Sequence, residues 1–110
     1  MRIERQDKQP DPRAEEIQKN WRAWAQASGF THTDPILVEA AGLGVFLDVW
    51  VSPTESLIYL PQLPRTRSED VLYITQNPTD MLEIVKKLVV ASLALVQMQP
   101  ERREERARLN

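Results

Sequence analysis

A histidine and an aspartate two residues apart form the pair in this chain with the greatest potential for chemistry. His32 and Asp34 stand in the run Thr31-His32-Thr33-Asp34, and a carboxylate beside an imidazole is the arrangement of a general base with its orienting residue. The nearest hydroxyls, on Thr31 and Thr33, belong to the same short connector, where the geometry of a nucleophilic triad is hard to build. We therefore interpret His32 as a solvated loop histidine, predict no catalytic residue, and expect the protein not to be an enzyme.

The sequence gives equally little support for a metal or cofactor site. His32 is the only histidine and there is no cysteine, which excludes disulfides and Cys-ligated zinc. The run Gly42-Leu43-Gly44 lacks the third glycine and the lysine of phosphate-binding loops, so we interpret it as a tight hairpin turn. The neighbouring acids Glu15/Glu16 and Glu69/Asp70 stand in charged stretches, where no burial would raise their pKa. We predict neither a metal nor a cofactor.

Basic residues are unevenly distributed along the chain. No lysine or arginine occurs between Arg22 and Arg65, a stretch that contains the acids Asp34, Glu39, Asp48 and Glu55. Arg65, Arg67 and the arginines of residues 101–110 have the chemistry to contact phosphates. A nucleic-acid-associated protein that uses this loop and tail is therefore the alternative function. The net charge of −2 and the acids among the C-terminal arginines argue against it.

Two helices are predicted from their start signals. Asp11-Pro12 is typical of an N-cap and first helical residue, and the apolar residues that follow at three- and four-residue steps indicate one helix over 12–28. Asn77-Pro78 repeats the signal, with Asp80 as its capping-box partner. This second helix should run to Gln99, before Pro100.

Between the helices, the pattern predicts four strands and an α+β fold. The strands cover 36–40, 45–52, 57–60 and 71–76. Because they come in a run rather than alternating with helices, we expect an antiparallel sheet. Both the N-terminal helix and the long apolar C-terminal helix should pack on one face of it, as a two-layer domain over 12–99. Residues 1–11 are predicted to form a flexible arm and 100–110 a charged tail.

The second face of this sheet is the candidate binding surface. Alternation in the 45–52 strand predicts that Val45, Leu47, Val49 and Val51 face the core. The opposite face then carries aromatic side chains, which either pack across strands or form a binding patch. Its acids suit a basic protein surface, or simply keep the sheet soluble. The predicted partner-binding residues are Phe46, Asp48, Trp50 and Tyr59.

The last helix is apolar on nearly every side from Leu88 to Met98, so it must be buried on more than one side. A partner copy would supply that cover, although the sheet and first helix could do so in a monomer. We predict a homodimer whose self-interface contains Leu88, Val89, Leu93 and Val96.

Cellular location and function class follow as expectations. The apolar run is too short for a bilayer, which takes about 20 residues, and the charged N-terminus is no secretory signal, so we expect a cytoplasmic protein with no membrane contact. The sequence predicts a non-enzymatic, dimeric protein–protein interaction module. Its role would be that of an accessory subunit, an inhibitor, or an assembly or secretion-type chaperone.

Overall fold

A six-stranded mixed sheet organises the residues that the computed structural model describes, which are 1–7, 9–63 and 69–97. In chain order the elements are β1 (Arg2–Arg5), α1 (Ala14–Lys19), α2 (Trp21–Ala27), β2 (Thr31–His32), β3 (Ile36–Ala40), β4 (Leu43–Val51), β5 (Ser56–Leu60), β6 (Val71–Thr75) and α3 (Pro78–Gln97).

The strands lie in the order β1-β6-β5-β4-β2, and β3 pairs with β4 beside β2. β1 is parallel to β6, and the other pairs are antiparallel. β2 and β3 share one edge of the sheet because they pair with opposite ends of the long strand β4. Their registers set His32 beside Trp50 and Leu37 beside Phe46.

The N-terminal segment departs from the prediction of a flexible arm over 1–11. Arg2–Arg5 forms β1 and pairs with β6, with Ile3 beside Leu72. Together with β2, this strand also corrects the predicted count of four strands, and its parallel pairing with β6 makes the sheet mixed rather than antiparallel as predicted. Ile3 is the only apolar residue in β1, so the segment shows no strand periodicity of its own. Its pairing depends on β6, which is far away in the sequence.

The predicted helix over 12–28 is in fact two short helices. Asn20 interrupts it with an extended backbone (φ −160°, ψ 88°), and its side-chain oxygen accepts a hydrogen bond from the N–H of Ala23. Asn20 thereby caps α2. The N-cap of α1 is Arg13 rather than the predicted Asp11, although the Asp11 carboxylate accepts the Arg13 N–H at 2.8 Å.

The sheet is covered on both faces, so the two-layer prediction is wrong. α3 packs on one face, here called the inner face, while α1 and α2 pack on the other, the outer face. All five residues of β6 are buried, as in strands enclosed from both sides. The predicted inner positions Val45, Leu47 and Val49 are buried as expected. The outer cluster consists of Ile17, Trp21, Ala25, Phe30, Trp50, Leu57, Leu72 and Ile74.

α3 begins as the sequence predicts. The Asn77 side-chain oxygen accepts the Asp80 N–H at 3.3 Å, and the Asn77 side-chain nitrogen donates to the Asp80 carboxylate at 2.8 Å. The first bond is the N-cap half of the predicted capping box; the backbone N–H of Asn77 donates to the Thr75 hydroxyl at 2.9 Å instead of to Asp80. The predicted end at Gln99 and the tail 100–110 lie outside the described residues. No helix among the described residues is long and apolar enough to cross a membrane.

The β3–β4 turn is one residue earlier than the predicted Gly42-Leu43-Gly44. Positive φ angles occur at Ala41 (55°) and Gly42 (77°), whereas Gly44 lies within β4. Two successive positive φ values are the requirement of a type I′ hairpin turn. An alanine in this region is strained, because its Cβ crowds the backbone.

Ala41→Gly should therefore raise the free energy of unfolding by about 1 kcal/mol, measured by urea denaturation. The matched control is Ala40→Gly in β3, which should lower it by about 0.5–1 kcal/mol. If both glycines destabilise the protein equally, the strain at Ala41 does not exist.

Candidate functional site

Three of the four predicted partner-binding residues come together on the outer face. Asp48 and Trp50 project from β4, and Tyr59 from β5 lies beside Asp48 in the strand register. They meet three side chains from other elements: Trp21 and Arg22 of α2, and His32 of β2. We call these six residues the aromatic cluster.

Trp50 forms the buried base of the aromatic cluster. Only 5% of it is exposed. Its ring lies edge-to-face with Trp21 at 6.0 Å and is stacked on His32 at 4.4 Å. Its indole nitrogen has no hydrogen-bond partner among the described residues. A partner would have to displace α2 or β2 to reach Trp50, so its predicted binding role is corrected to a packing role.

Tyr59 is half-buried and held at both ends. Its ring stacks on Trp21 at 5.0 Å, and its hydroxyl donates to the Asp70 carboxylate at 2.8 Å. Burial, reinforced by the bond to Asp70, raises the pKa of Tyr59 to about 12. The bond from the Tyr59 hydroxyl fastens β5 to Asp70, which precedes β6.

Asp48 joins two cationic or potentially cationic side chains at the margin of the aromatic cluster. Arg22 donates to Asp48 at 3.3 Å, and its guanidinium lies 4.4 Å from the Trp21 ring centre. The His32 Nε2 atom lies 3.4 Å from the other Asp48 oxygen. The structure thus pairs His32 with Asp48 rather than with Asp34, which sequence proximity suggests. The pairing ties β2, α2 and β4 together.

Phe46 lies beyond the reach of the helices on the same face of β4. Its side chain is 61% exposed, and its cross-strand neighbour Leu37 is 46% exposed. Gly44 and Glu39 form the next cross-strand pair. A Cβ atom on Gly44 would come within 3.2 Å of the Leu37 side chain, so the glycine leaves room for Leu37 there. We call Leu37, Glu39, Gly44 and Phe46 the β3–β4 patch.

The charge around the β3–β4 patch is acidic, though less than the sequence suggests. Two of the four acids in the lysine- and arginine-free stretch are neutralised, because Asp48 pairs with Arg22 and Glu55 pairs with Arg13. Asp34 and Glu39 have no ion-pair partner among the described residues. Of these two unpaired acids, Glu39 lies on the same strand and face as Leu37, and Asp34 lies in the connector before β3.

The predicted self-interface on α3 is only partly accessible. Val89 and Leu93 are buried in the inner cluster with Met81 and Val85, so a second copy cannot contact them. Leu88 is 37% exposed, and Val96 is half-buried. The core residues of α3 follow one another at four-residue steps from Met81 to Leu93. This spacing is visible in the sequence and could have been used to predict which apolar residues of α3 are buried.

Several open clefts occur among the described residues. One of about 440 Å³ lies at the β3–β4 turn and has Glu39 as the charged residue of its lining. Another, of about 230 Å³, lies at the ends of β1 and β6, lined by Arg5, Asp7, Glu55 and Thr75 among others. Within the described part of the chain, no three histidine or acidic side chains are placed to hold a metal ion.

Comparison with known proteins adds no guide to this surface. No family model, no curated protein and no solved structure matches the chain.

Of the predicted partner-binding residues, Phe46 alone is exposed, whereas Asp48 and Tyr59 are half-buried and Trp50 is buried. Asp48 lies at the border between the aromatic cluster and the β3–β4 patch, while Trp50 and Tyr59 pack inside the aromatic cluster. Leu37 was missed, although its place in an apolar strand opposite Phe46 gave a signal. Arg65, Arg67 and the arginine-rich tail lie outside the described residues.

Proposed function

We propose that this protein is a non-enzymatic interaction module that binds another protein, one with basic surface residues, through the β3–β4 patch. The observation that carries the proposal is the exposed pair Phe46 and Leu37. They lie side by side on a sheet face that α1 and α2 otherwise cover. Aromatic residues such as phenylalanine are enriched in protein interfaces, whose fully buried centres are more apolar than the rest of the surface.

The rim of the β3–β4 patch supports the choice of a basic partner. Glu39 lies in the patch and Asp34 in the connector before β3, and both lack an ion-pair partner among the described residues. Lysine or arginine side chains around an apolar contact would complement them. Such rim charges mainly set orientation and association rate rather than affinity.

The contacts of the aromatic cluster support a non-enzymatic role. Tyr59 is held by Asp70, and both oxygens of Asp48 face cationic or potentially cationic groups. These side chains form a rigid floor beside the β3–β4 patch, which reduces the ordering cost when a partner binds. An accessory subunit, an inhibitor and an assembly chaperone would each act by occupying a partner's surface in this way. The nucleic-acid alternative stays a prediction, because its arginines lie outside the described residues.

Photocrosslinking tests the proposal directly. Phe46 is replaced by the near-isosteric p-benzoylphenylalanine, and the exposed Thr54 in the β4–β5 hairpin receives the same residue as a matched control. In cells that produce the chain, we expect irradiation to yield one predominant adduct from position 46 and none from position 54. That adduct should contain a protein with a basic contact surface, identified by mass spectrometry.

Two further variants separate the apolar contact from the charges. Phe46→Ser should lower affinity for the captured protein at least tenfold, whereas Glu39→Gln should slow association mainly at low salt. Adducts equally abundant at positions 46 and 54, or made only with a second copy of the chain, would refute the proposal.

A further inference from the structure

α3 carries a second apolar stripe that no other described part of the chain covers. It consists of Ile84, Leu88, Ala91 and Leu95, at steps of four, three and four residues. Ile84 is 56% exposed and Leu95 is 52% exposed. The core residues of α3, from Met81 to Leu93, lie on a different side of the helix. We call these four residues the α3 stripe.

The spacing of the α3 stripe is that of a helix-pairing seam. Single exposed apolar residues are common on protein surfaces, but alternating three- and four-residue steps follow one line along a helix and match the a and d positions of a coiled coil. From Ile84 to Leu95 the stripe extends roughly 16 Å along α3.

We propose that a second copy of the chain packs its α3 antiparallel against this stripe, with the two-fold axis between Leu88 and Ala91. The steps of four, three and four are the same in both chain directions. Two antiparallel copies can therefore align all four residues of the stripe with one another. Ile84 would meet the partner's Leu95, and Leu88 would meet the partner's Ala91. Large residues opposite small ones interdigitate well, and the alanine lets the two helices approach closely.

The helix dipoles favour this antiparallel arrangement, because parallel packing would align them in the same direction. Asp80, Glu83, Lys86 and Lys87, which carry charges of both signs, all lie in the first half of the helix, and Leu88–Gln97 contains no charged residue. Antiparallel packing sets each charged half beside the uncharged half of the other copy.

The size of the contact determines its expected strength. A stable specific interface buries about 800 Å² on each partner, and four side chains on one helix provide less. We therefore expect a dissociable dimer with a Kd in the micromolar range. The dimer is independent of the proposed binding function, because the α3 stripe is on the inner side of the sheet and the β3–β4 patch on the outer side. Each dimer would then present two patches.

Analytical ultracentrifugation from about 1 to 500 µM tests for the dimer in that Kd range. The wild-type chain should shift from monomer to dimer across this range. Ala91→Lys places bulk and charge at the axis and should weaken dimerisation at least tenfold. The matched control, Val90→Lys, lies on another exposed side of α3 and should dimerise like the wild type. Circular dichroism should show that both variants keep the native helix content.

Spin labelling distinguishes the two orientations. The chain has no cysteine, so Asp80→Cys gives a single labelling site near the start of α3. Antiparallel packing predicts a separation of roughly 30 Å between the two labelled positions, against roughly 10 Å for parallel packing. A monomer at every concentration, equal effects of Ala91→Lys and Val90→Lys, or the short distance would each overturn the proposal.

Discussion

Trp21→Ala should lower the free energy of unfolding by about 3–5 kcal/mol, the usual cost of removing a large buried aromatic ring. Trp21 is buried where α2 meets the sheet, edge-to-face with Trp50 and stacked on Tyr59. Its loss would leave a cavity between them and remove the ring on which Arg22 lies. Domains of this size have total stabilities of about 5–15 kcal/mol, so the variant should be close to unfolding at 37 °C.

Trp24→Ala is the matched control for this measurement, because it removes the same side chain from the same helix. Trp24 is half-buried and contacts Phe30 at 5.4 Å between ring centres. We expect a loss of about 1–2 kcal/mol. Urea denaturation followed by circular dichroism measures both. Equal losses, or a larger loss at Trp24, would contradict the central role assigned to Trp21.

Features set by neighbouring residues were predictable from the sequence. Asn77 caps α3 by accepting the Asp80 N–H as expected, because both partners lie within one turn. Alternation placed Val45, Leu47 and Val49 in the core, because strand geometry alone decides which residues share a face. Neither prediction requires knowledge of the rest of the chain.

The fold elements that were missed depend on distant partners. β1 is ordered by pairing with β6, and its own residues carry no apolar alternation. The assignment of helices to opposite faces depends on both faces of β5 and β6 being apolar. In those strands the nearly continuous apolar run hides the alternation. The break between α1 and α2 occurs at one residue, Asn20. The apolar residues continue at helical spacing on both sides of it, so the spacing predicts one helix.

In the candidate site, too, the face on which each residue lies was predictable from the sequence, whereas the exposure of its side chain was not. Phe46, Asp48 and Trp50 were correctly placed on one face of β4, but their exposure is very different. α2 covers Trp50, its arginine reaches Asp48, and neither extends to Phe46. Where a helix ends over a sheet is a property of tertiary packing, so the sequence alone could not tell which aromatic residue remains free.

Asp11 is the charged group whose titration should affect stability most. Its side chain is only 1% exposed and accepts hydrogen bonds from the Arg13 backbone and guanidinium and from Arg5. The Arg13 side chain, against the opposing effect of burial, lowers the pKa of Asp11 from 3.8 to about 2. Arg13 in turn bonds to Glu55 at 2.6 Å. This network joins the start of α1 to the β4–β5 hairpin.

Asp11→Asn should lower the free energy of unfolding by about 2 kcal/mol at pH 7. Because the folded-state pKa lies below the unfolded-state value, the carboxylate stabilises the fold fully above about pH 4, and this contribution disappears as the pH falls to about 2. Wild type and variant should therefore differ at pH 7 and converge near pH 2, as measured by urea denaturation at each pH.

Asp7→Asn is the control for Asp11→Asn, since Asp7 pairs with the same Arg5 at 3.5 Å but has a side chain that is 56% exposed. Exposed ion pairs contribute little, so its stability should stay within about 0.5 kcal/mol of the wild type at every pH. If Asp11→Asn and the wild type stay equally far apart from pH 7 to pH 2, the carboxylate charge is not the source of the stabilisation. The difference would then come from the amide nitrogen that Asp11→Asn introduces, which cannot accept a hydrogen bond from Arg13 or Arg5 at any pH.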